Sequence, residues 1–180
     1  MISGSLARRY ARALLELGID KGSHEKLSAE VDDLAATYAG SRDLGEALTN
    51  PVFPRAKRRE VLEAVLARVG VSPETRNFTL LLLDRERIAF LPAIARELRA
   101  MVDDKLGRVR ATVTSARPLP PDHVQEIQAS LEKASGKRVL LDKTEDPSLI
   151  GGVIAKLGDV VYDGSVRTQL ERMRETIVHD

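Results

Sequence analysis

The sequence is poor in the side chains that build many redox and metal sites. It has no cysteine and no tryptophan, and its aromatic residues are three tyrosines and three phenylalanines. Without cysteine the chain forms neither a disulfide nor a thiolate metal site. The three histidines, His24, His123 and His179, are scattered without the spacing of metal ligands. We therefore expect no metal site and no cofactor.

Long apolar runs are also missing. The longest, Phe78–Leu83, is far shorter than the roughly twenty residues that span a bilayer. Met1 is followed almost at once by an amphipathic pattern rather than by the unbroken apolar core of a signal peptide. We expect no direct membrane insertion, so that any membrane association goes through partners.

Neither part of the chain has an excess of one charge. Residues 1–105 carry 17 basic and 16 acidic side chains, and residues 106–180 carry 11 of each. A nucleic-acid binder usually shows a basic excess on some segment. The densest basic cluster, between Arg55 and Arg59, precedes carboxylates and has almost no aromatic residues for base stacking. This pattern favours a solvated helix face, and we expect no nucleic-acid partner.

Helical periodicity dominates residues 1–105. Apolar residues three and four apart mark about six helices with short connections, which predicts an N-terminal six-helix bundle. The fifth helix has a clear start at Ser72, a capping residue followed by Pro73 and Glu74. It is apolar almost all round near Leu83, which is typical of a helix buried in the middle of a bundle.

The period changes after residue 105. Alternating apolar residues from Val109 to Val113 predict a half-exposed strand, and further strands are predicted at Val139–Leu141, Val153–Leu157 and Val160–Tyr162. Helices are predicted from Asp122 and after Ser165. The last one should turn its apolar stripe inward, namely Val166, Leu170, Met173 and Ile177. We predict a small α+β domain with a short mixed sheet over residues 106–180, and the α+β, mainly α class for the whole chain.

The stretch Asp146–Met173 contains glycine-rich turns beside acidic side chains, which raises the question of a ligand site. The glycines at 151 and 152 open a strand, whereas a phosphate-binding loop precedes a helix. Asp159 and Asp163 could share a cation, but no third carboxylate stands at a fixed spacing, which favours local hydrogen bonding.

Ser165 has neither a partner histidine nor the pattern of a nucleophile elbow; it is predicted to cap the last helix. Gly158-Asp159 fits the two-residue turn of a hairpin. No catalytic constellation remains, and we interpret the chain as a protein that binds other proteins.

Three separated blocks of the sequence match one known family. The first is Ala7–Ala13, the second is Asn77–Arg87 with Leu91-Pro92, and the third is a C-terminal signature formed by Gly152, Gly158, Asp159, Asp163, Gly164, Ser165, Arg167 and Leu170. On these blocks the chain resembles the delta subunits of the proton-translocating ATP synthase, whose mitochondrial counterpart is the oligomycin-sensitivity-conferring protein. Lys156 and Gln169 stand where that family commonly has arginine.

The resemblance implies a non-catalytic stator component that resists the torque of the rotor. In that family the N-terminal bundle sits on the catalytic head and holds the N-terminal helical segment of an alpha subunit between its first and fifth helices. The C-terminal domain binds the end of the peripheral stalk formed by the b subunits. The expected location is the cytoplasmic face of a bacterial cell membrane, as a peripheral membrane protein.

Carried onto this chain, the resemblance assigns one wall of the groove to Tyr10, Ala13 and Leu14. The other wall or its support falls to Asn77, Phe78, Leu81 and Leu82. The rival hypothesis is an RNA- or ribosome-associated adaptor, because small α+β units often serve there. The chain lacks the features that would support this hypothesis, namely a basic excess, a GxxG loop and exposed aromatic pairs.

Overall fold

The computed structural model describes residues 2–158 and 160–178. Asp159 of the signature and His179 therefore lie outside the described residues. The chain divides into two compact units, one ending at Val102 and the other beginning at Asp103.

The first unit is built from helices joined by short turns. They are α1 (Ile2–Asp20), α2 (His24–Gly40), α3 (Arg42–Thr49), α4 (Arg55–Val69), α5 (Pro73–Asp84) and α6 (Leu91–Lys105), with a 3₁₀ turn at Ile88–Phe90 before α6. Each helix contributes apolar side chains to a common core, among them Ala7, Ala11, Leu27, Val31, Leu48, Leu62, Leu82, Ile94 and Leu98. Alanine at the buried positions of α1 lets neighbouring backbones approach closely.

The start of α5 is held by a buried polar cluster. Ser72 Oγ accepts a hydrogen bond from the Thr75 N–H, which confirms the predicted cap. The carboxylate of Glu30 in α2 accepts hydrogen bonds from the Ser72 N–H, the Ser72 hydroxyl and the Thr75 hydroxyl, at 3.0, 2.5 and 2.6 Å. Burial alone would raise the pKa of Glu30, but these hydrogen bonds outweigh burial and lower it. An ionised Glu30 thus ties α2 to the first turn of α5.

The second unit contains a four-stranded mixed sheet. Its elements are β1 (Arg108–Ser115), α7 (Pro121–Ser135), β2 (Arg138–Glu145), β3 (Val153–Leu157), β4 (Val160–Asp163) and α8 (Val166–Val178). The strand order is β2-β1-β3-β4, in which β1 and β2 are parallel and the other pairs are antiparallel. The predicted mixed sheet is confirmed. β2 is longer than predicted because its polar second half stays paired with β1 as far as Ser115 and Glu145.

The core of this unit is small, and it leaves α8 uncovered. Its buried members are Ala111, Val113, Leu131, Val139 and Ala155. The prediction that α8 turns its stripe inward is wrong for the described side chains, because Val166, Leu170 and Met173 are 36%, 55% and 62% exposed. The side chain of Ile177 lies outside the described residues. Periodicity identified one apolar face, but within the described part of this unit nothing covers it.

Candidate protein-binding surfaces

A groove of about 590 Å³ lies between α1 and α5. Its lining is Tyr10, Ala13, Leu14 and Leu17 from α1, Lys21 directly after α1, and Pro73, Glu74, Asn77, Phe78 and Leu81 from α5. From Tyr10 to Lys21 the groove follows about 16 Å of helix, or three turns. It is therefore long enough for a helical segment of similar length.

One end of the groove is built from aromatic rings. The rings of Tyr10 and Phe78 meet edge to face, with centroids 6.2 Å apart and an interplanar angle of 69°. The guanidinium carbon of Arg87 lies 5.9 Å from the centroid of the Tyr10 ring, within the range of a cation–π contact. The Tyr10 ring is thus held from two directions and forms a defined part of the wall.

The other end carries an ion pair. Lys21 Nζ donates to Glu74 Oε1 at 2.5 Å, joining the C-terminal end of α1 to the first turn of α5. The hydrogen bond from Lys21 lowers the pKa of Glu74 below its ordinary value. Because Lys21 meets Glu74 while Tyr10 meets Phe78, the two walls run antiparallel.

The structure brings six of the seven sequence-predicted groove residues together in the lining: Tyr10, Ala13, Leu14, Asn77, Phe78 and Leu81. Leu82 does not line the groove; it is fully buried in the core and can only support the wall. Leu81 is 43% exposed because it faces the groove, which departs from the expectation that this end of the fifth helix is wholly buried. That these residues bind a partner stays a prediction.

Sequence reasoning missed four lining residues. Leu17 could have been found, because it stands seven residues after Tyr10 on the same helical stripe. Pro73 was singled out only as a helix starter. Lys21 and Glu74 are 53 residues apart, and no local pattern indicates that they pair.

The signature glycine Gly152 lies where a side chain does not fit. Its φ is +81°, and a Cβ there would stand 2.3 Å from the Gly164 carbonyl oxygen and 2.9 Å from the Ser165 Cα. Two backbone hydrogen bonds fix this approach, from the Gly164 N–H to the Val153 carbonyl at 2.9 Å and from the Val166 N–H to the Gly151 carbonyl at 3.0 Å. The start of β3 is therefore clamped against the turn that leads into α8.

The remaining signature residues build that turn. Ser165 Oγ accepts from the Thr168 N–H at 3.3 Å, which confirms the predicted cap of α8. Asp163 accepts from the Ser165 N–H and from the Thr168 hydroxyl, each at 2.8 Å, and both hydrogen bonds are local, as predicted. Gly158 has φ +58° in the connection between β3 and β4, as a primed hairpin turn requires.

Arg167 and Leu170 stand on the exposed side of α8. Arg167 helps to keep the pKa of Asp146 low, although the hydrogen bonds between Asp146 and Ser148 contribute more. Leu170 is one of six exposed apolar side chains on β4 and α8, namely Val160, Val161, Tyr162, Val166, Leu170 and Met173. Val161 points to the opposite face of β4 from Val160 and Tyr162. We use the name β4–α8 surface for these six side chains together.

The described part of the chain contains neither a metal-binding cluster nor a membrane-spanning helix. Among residues 2–158 and 160–178, no group of three or more histidine, aspartate or glutamate side chains is placed to hold a metal ion. No helix within the same residues is both long and apolar enough to cross a membrane. An apolar groove in one unit and exposed apolar side chains in the other are features typical of proteins that bind other proteins.

The comparisons with known proteins agree on one family. The family model for the ATP synthase delta (OSCP) subunit matches residues 6–177. The chain is 46% identical over 177 residues to "ATP synthase subunit delta" of Anaeromyxobacter dehalogenans (strain 2CP-1), covering 98% of this chain and 99% of that relative. It is 44% identical to the subunit of the same name from Geobacter metallireducens, covering 98% of each.

A solved structure shares the fold. A chain of the Toxoplasma gondii mitochondrial ATP synthase hexamer, determined by cryo-electron microscopy, superposes with a TM-score of 0.74 at 24% identity, covering 96% of this chain and 97% of that one. The chain belongs to the ATP synthase delta (OSCP) subunit family. It is a non-catalytic stator component of the ATP synthase complex, and nothing in these comparisons supports the RNA-associated alternative.

Proposed function

We propose that the chain links the catalytic head of a bacterial ATP synthase to its b-subunit peripheral stalk, through one docking surface in each unit. Residues 1–105, as a six-helix bundle, hold the N-terminal helical segment of an alpha subunit in the α1–α5 groove. Residues 106–180 bind the end of the stalk through the β4–α8 surface. Held in this way, the chain is a peripheral protein at the cytoplasmic face of the cell membrane.

The geometry of the groove carries the first half of this proposal. An amphipathic helix that docks in a groove contacts it with residues spaced i, i+3, i+4 and i+7. Three turns of groove, with Leu14 as the floor and the paired rings of Tyr10 and Phe78 in the walls, suit three or four such anchors. Leu17 and Leu81 stand 38% and 43% exposed at its rim, so an occupant would remove apolar surface from water.

The spacing on α8 supports the second half. Val166, Leu170 and Met173 follow one another at i, i+4 and i+7, the spacing with which one helix packs along another. A helical segment at the end of the stalk would pack along this stripe. A unit of fewer than eighty residues with a thin core would also gain stability from such a partner.

A pair of reciprocal substitutions in the full-length chain tests both halves together. Ala13→Trp fills the groove from an exposed helical position, and Leu170→Glu places a charge in the stripe on α8. We expect Ala13→Trp to lose the alpha-containing head and keep the b subunits in co-purification. Leu170→Glu should do the reverse. Each loss should be about fivefold to thirtyfold in Kd, since one central anchor is worth about 1–2 kcal/mol.

The matched controls are Ala64→Trp, at an exposed alanine of α4, and Gln169→Glu, at the exposed position beside Leu170. Both should keep both partners. Head binding that survives Ala13→Trp would show that the groove is not the site. If each variant lost both partners equally, the assignment of one surface to each unit would be wrong.

A further inference from the structure

Charges on α1 are segregated along the groove. Its exposed basic residues, Arg8, Arg9 and Arg12, come first along the helix, and its acidic residues, Glu16 and Asp20, follow them. The first turn of α1 has no acidic residue and the last turn has no basic one. A helix macrodipole favours the opposite arrangement. The stability of α1 therefore does not account for the pattern.

The basic residues line a depression beside the groove. This shallow depression of about 460 Å³ is lined by Ser5, Arg8, Arg9, Arg12 and Ala13, and it ends at the first acidic residue, Glu16. Ala13 lines both this depression and the α1–α5 groove. Arg9 stands four residues before Ala13, on the same side of α1, and is the arginine nearest to the groove. Arg8 and Arg12 lie farther round the helix, so they act on a bound segment at longer range.

Within the described part of the chain, the cations at this end have few counter-ions. Arg8 approaches Glu97 at 3.3 Å, whereas Arg9 and Arg12 have no carboxylate at ion-pair distance among the described residues. The guanidinium of Arg87, over the ring of Tyr10, likewise has no such carboxylate there. The end of the groove at Tyr10 is therefore electropositive.

The opposite end has the other sign. Lys21 is neutralised by Glu74 at 2.5 Å. Glu16 and Asp20, exposed on the same half of α1, have no described cation within ion-pair distance. The potential along the groove thus falls from the Tyr10 end to the Lys21 end.

We propose that this charge gradient selects and orients the helix bound in the groove. The occupant is an amphipathic helix with carboxylates beside its apolar stripe where it passes Tyr10 and Arg87, and with basic or uncharged residues near Lys21 and Glu74. Opposite charges steer the encounter, and the reversed orientation places like charges together. The inference rests on the proposed function, in which the occupant is the N-terminal segment of an alpha subunit.

The test is a titration of the full-length chain with a synthetic peptide of that alpha-subunit segment from the same organism. Arg9→Gln with Arg12→Gln removes two exposed charges that touch no described carboxylate. The control, Arg68→Gln with Arg96→Gln, removes two exposed arginines from outside the groove. At about 20 mM salt we expect the first pair to weaken binding about fivefold to tenfold, mainly through slower association, and the difference to vanish near 0.5 M salt.

Ala13→Trp in the same titration distinguishes failure of the charge-gradient hypothesis from failure of the groove as the binding site. Suppose that the wild type binds, that Ala13→Trp abolishes binding, and that the arginine variant equals its control at both salt concentrations. The charge-gradient hypothesis is then overturned, whereas the groove remains the binding site. If the wild type does not bind, or Ala13→Trp changes nothing, the groove assignment fails and the gradient fails with it.

The orientation of the bound peptide is measured separately, by crosslinking. A photoreactive group at the acidic end of the peptide should crosslink near Tyr10 and Arg87 rather than near Lys21. Crosslinking at the Lys21 end, or an alpha segment without carboxylates flanking its apolar stripe, would overturn the proposal.

Discussion

Replacement of Gly152 by alanine should destabilise the second unit far more than its single methyl group would suggest. At φ +81° an alanine costs about 1–2 kcal/mol. Its Cβ would also stand 2.3 Å from the Gly164 carbonyl oxygen, a backbone atom, so the chain must separate there by about an ångström. That movement breaks the two backbone hydrogen bonds of the clamp, each worth about 1 kcal/mol.

The expected loss in the free energy of unfolding is therefore about 3–4 kcal/mol. Gly158→Ala is the matched control, because Gly158 has a similar positive φ of +58° but nothing within 4 Å of its would-be Cβ. It should cost only the dihedral strain of about 1–2 kcal/mol. The difference between the two variants isolates the close approach of the backbone from the strain of the dihedral angle.

Amide hydrogen exchange of the full-length chain is the suitable assay, because two compact units need not unfold as one transition. The amides of β1 and β3 should lose about 3 kcal/mol of protection in Gly152→Ala, and core amides of α2 should keep theirs. If Gly152→Ala and Gly158→Ala had equal effects, the clamp between β3 and the α8 turn would not be what requires glycine.

Two further predictions concern a hairpin and a buried carboxylate. Gly158→Val places a β-branched residue at positive φ, so it should distort the β3–β4 hairpin and reduce co-purification with the b subunits; unchanged head and stalk binding would contradict this account. Folding lowers the pKa of the Glu30 carboxyl below its ordinary value of 4.5 in the unfolded chain. The stabilisation that Glu30 contributes is therefore complete above that pH, and it is lost as the pH falls through the lower pKa of the folded state. Thermal denaturation between about pH 3 and pH 6 should show this loss in the wild type and a flatter profile in Glu30→Gln.

Local signals in the sequence were sufficient where one short segment determines the structure. Ser72-Pro73 starts α5, and Ser165 caps α8, because each cap depends on residues within three positions. The glycines at 152 and 158 were correctly interpreted as backbone geometry rather than as a ligand loop. The close contact of Gly152 with Gly164 could not be predicted, since it depends on how β3 lies against the turn.

The direction in which an apolar side chain faces was harder to predict. Leu81 and Leu82 are adjacent in a helix that is apolar nearly all round, so the period does not distinguish them; one is 43% exposed and the other is fully buried. On α8 the period was right but the direction was wrong, because periodicity shows that a helix has an apolar face and not whether its own chain covers that face. Leu170 lies on the predicted apolar face of α8, but its side chain is 55% exposed to solvent.

The uncovered β4–α8 surface has a consequence for the life of the chain before assembly. A newly made copy presents Val161, Leu170 and Met173 to water, and exposed apolar side chains of this kind favour association with other apolar surfaces. We expect copies made in excess of their partners to aggregate or to be degraded, so that the cellular amount of this subunit follows the supply of the complex. Stoichiometry would then be enforced by solubility and proteolysis, without a dedicated regulator.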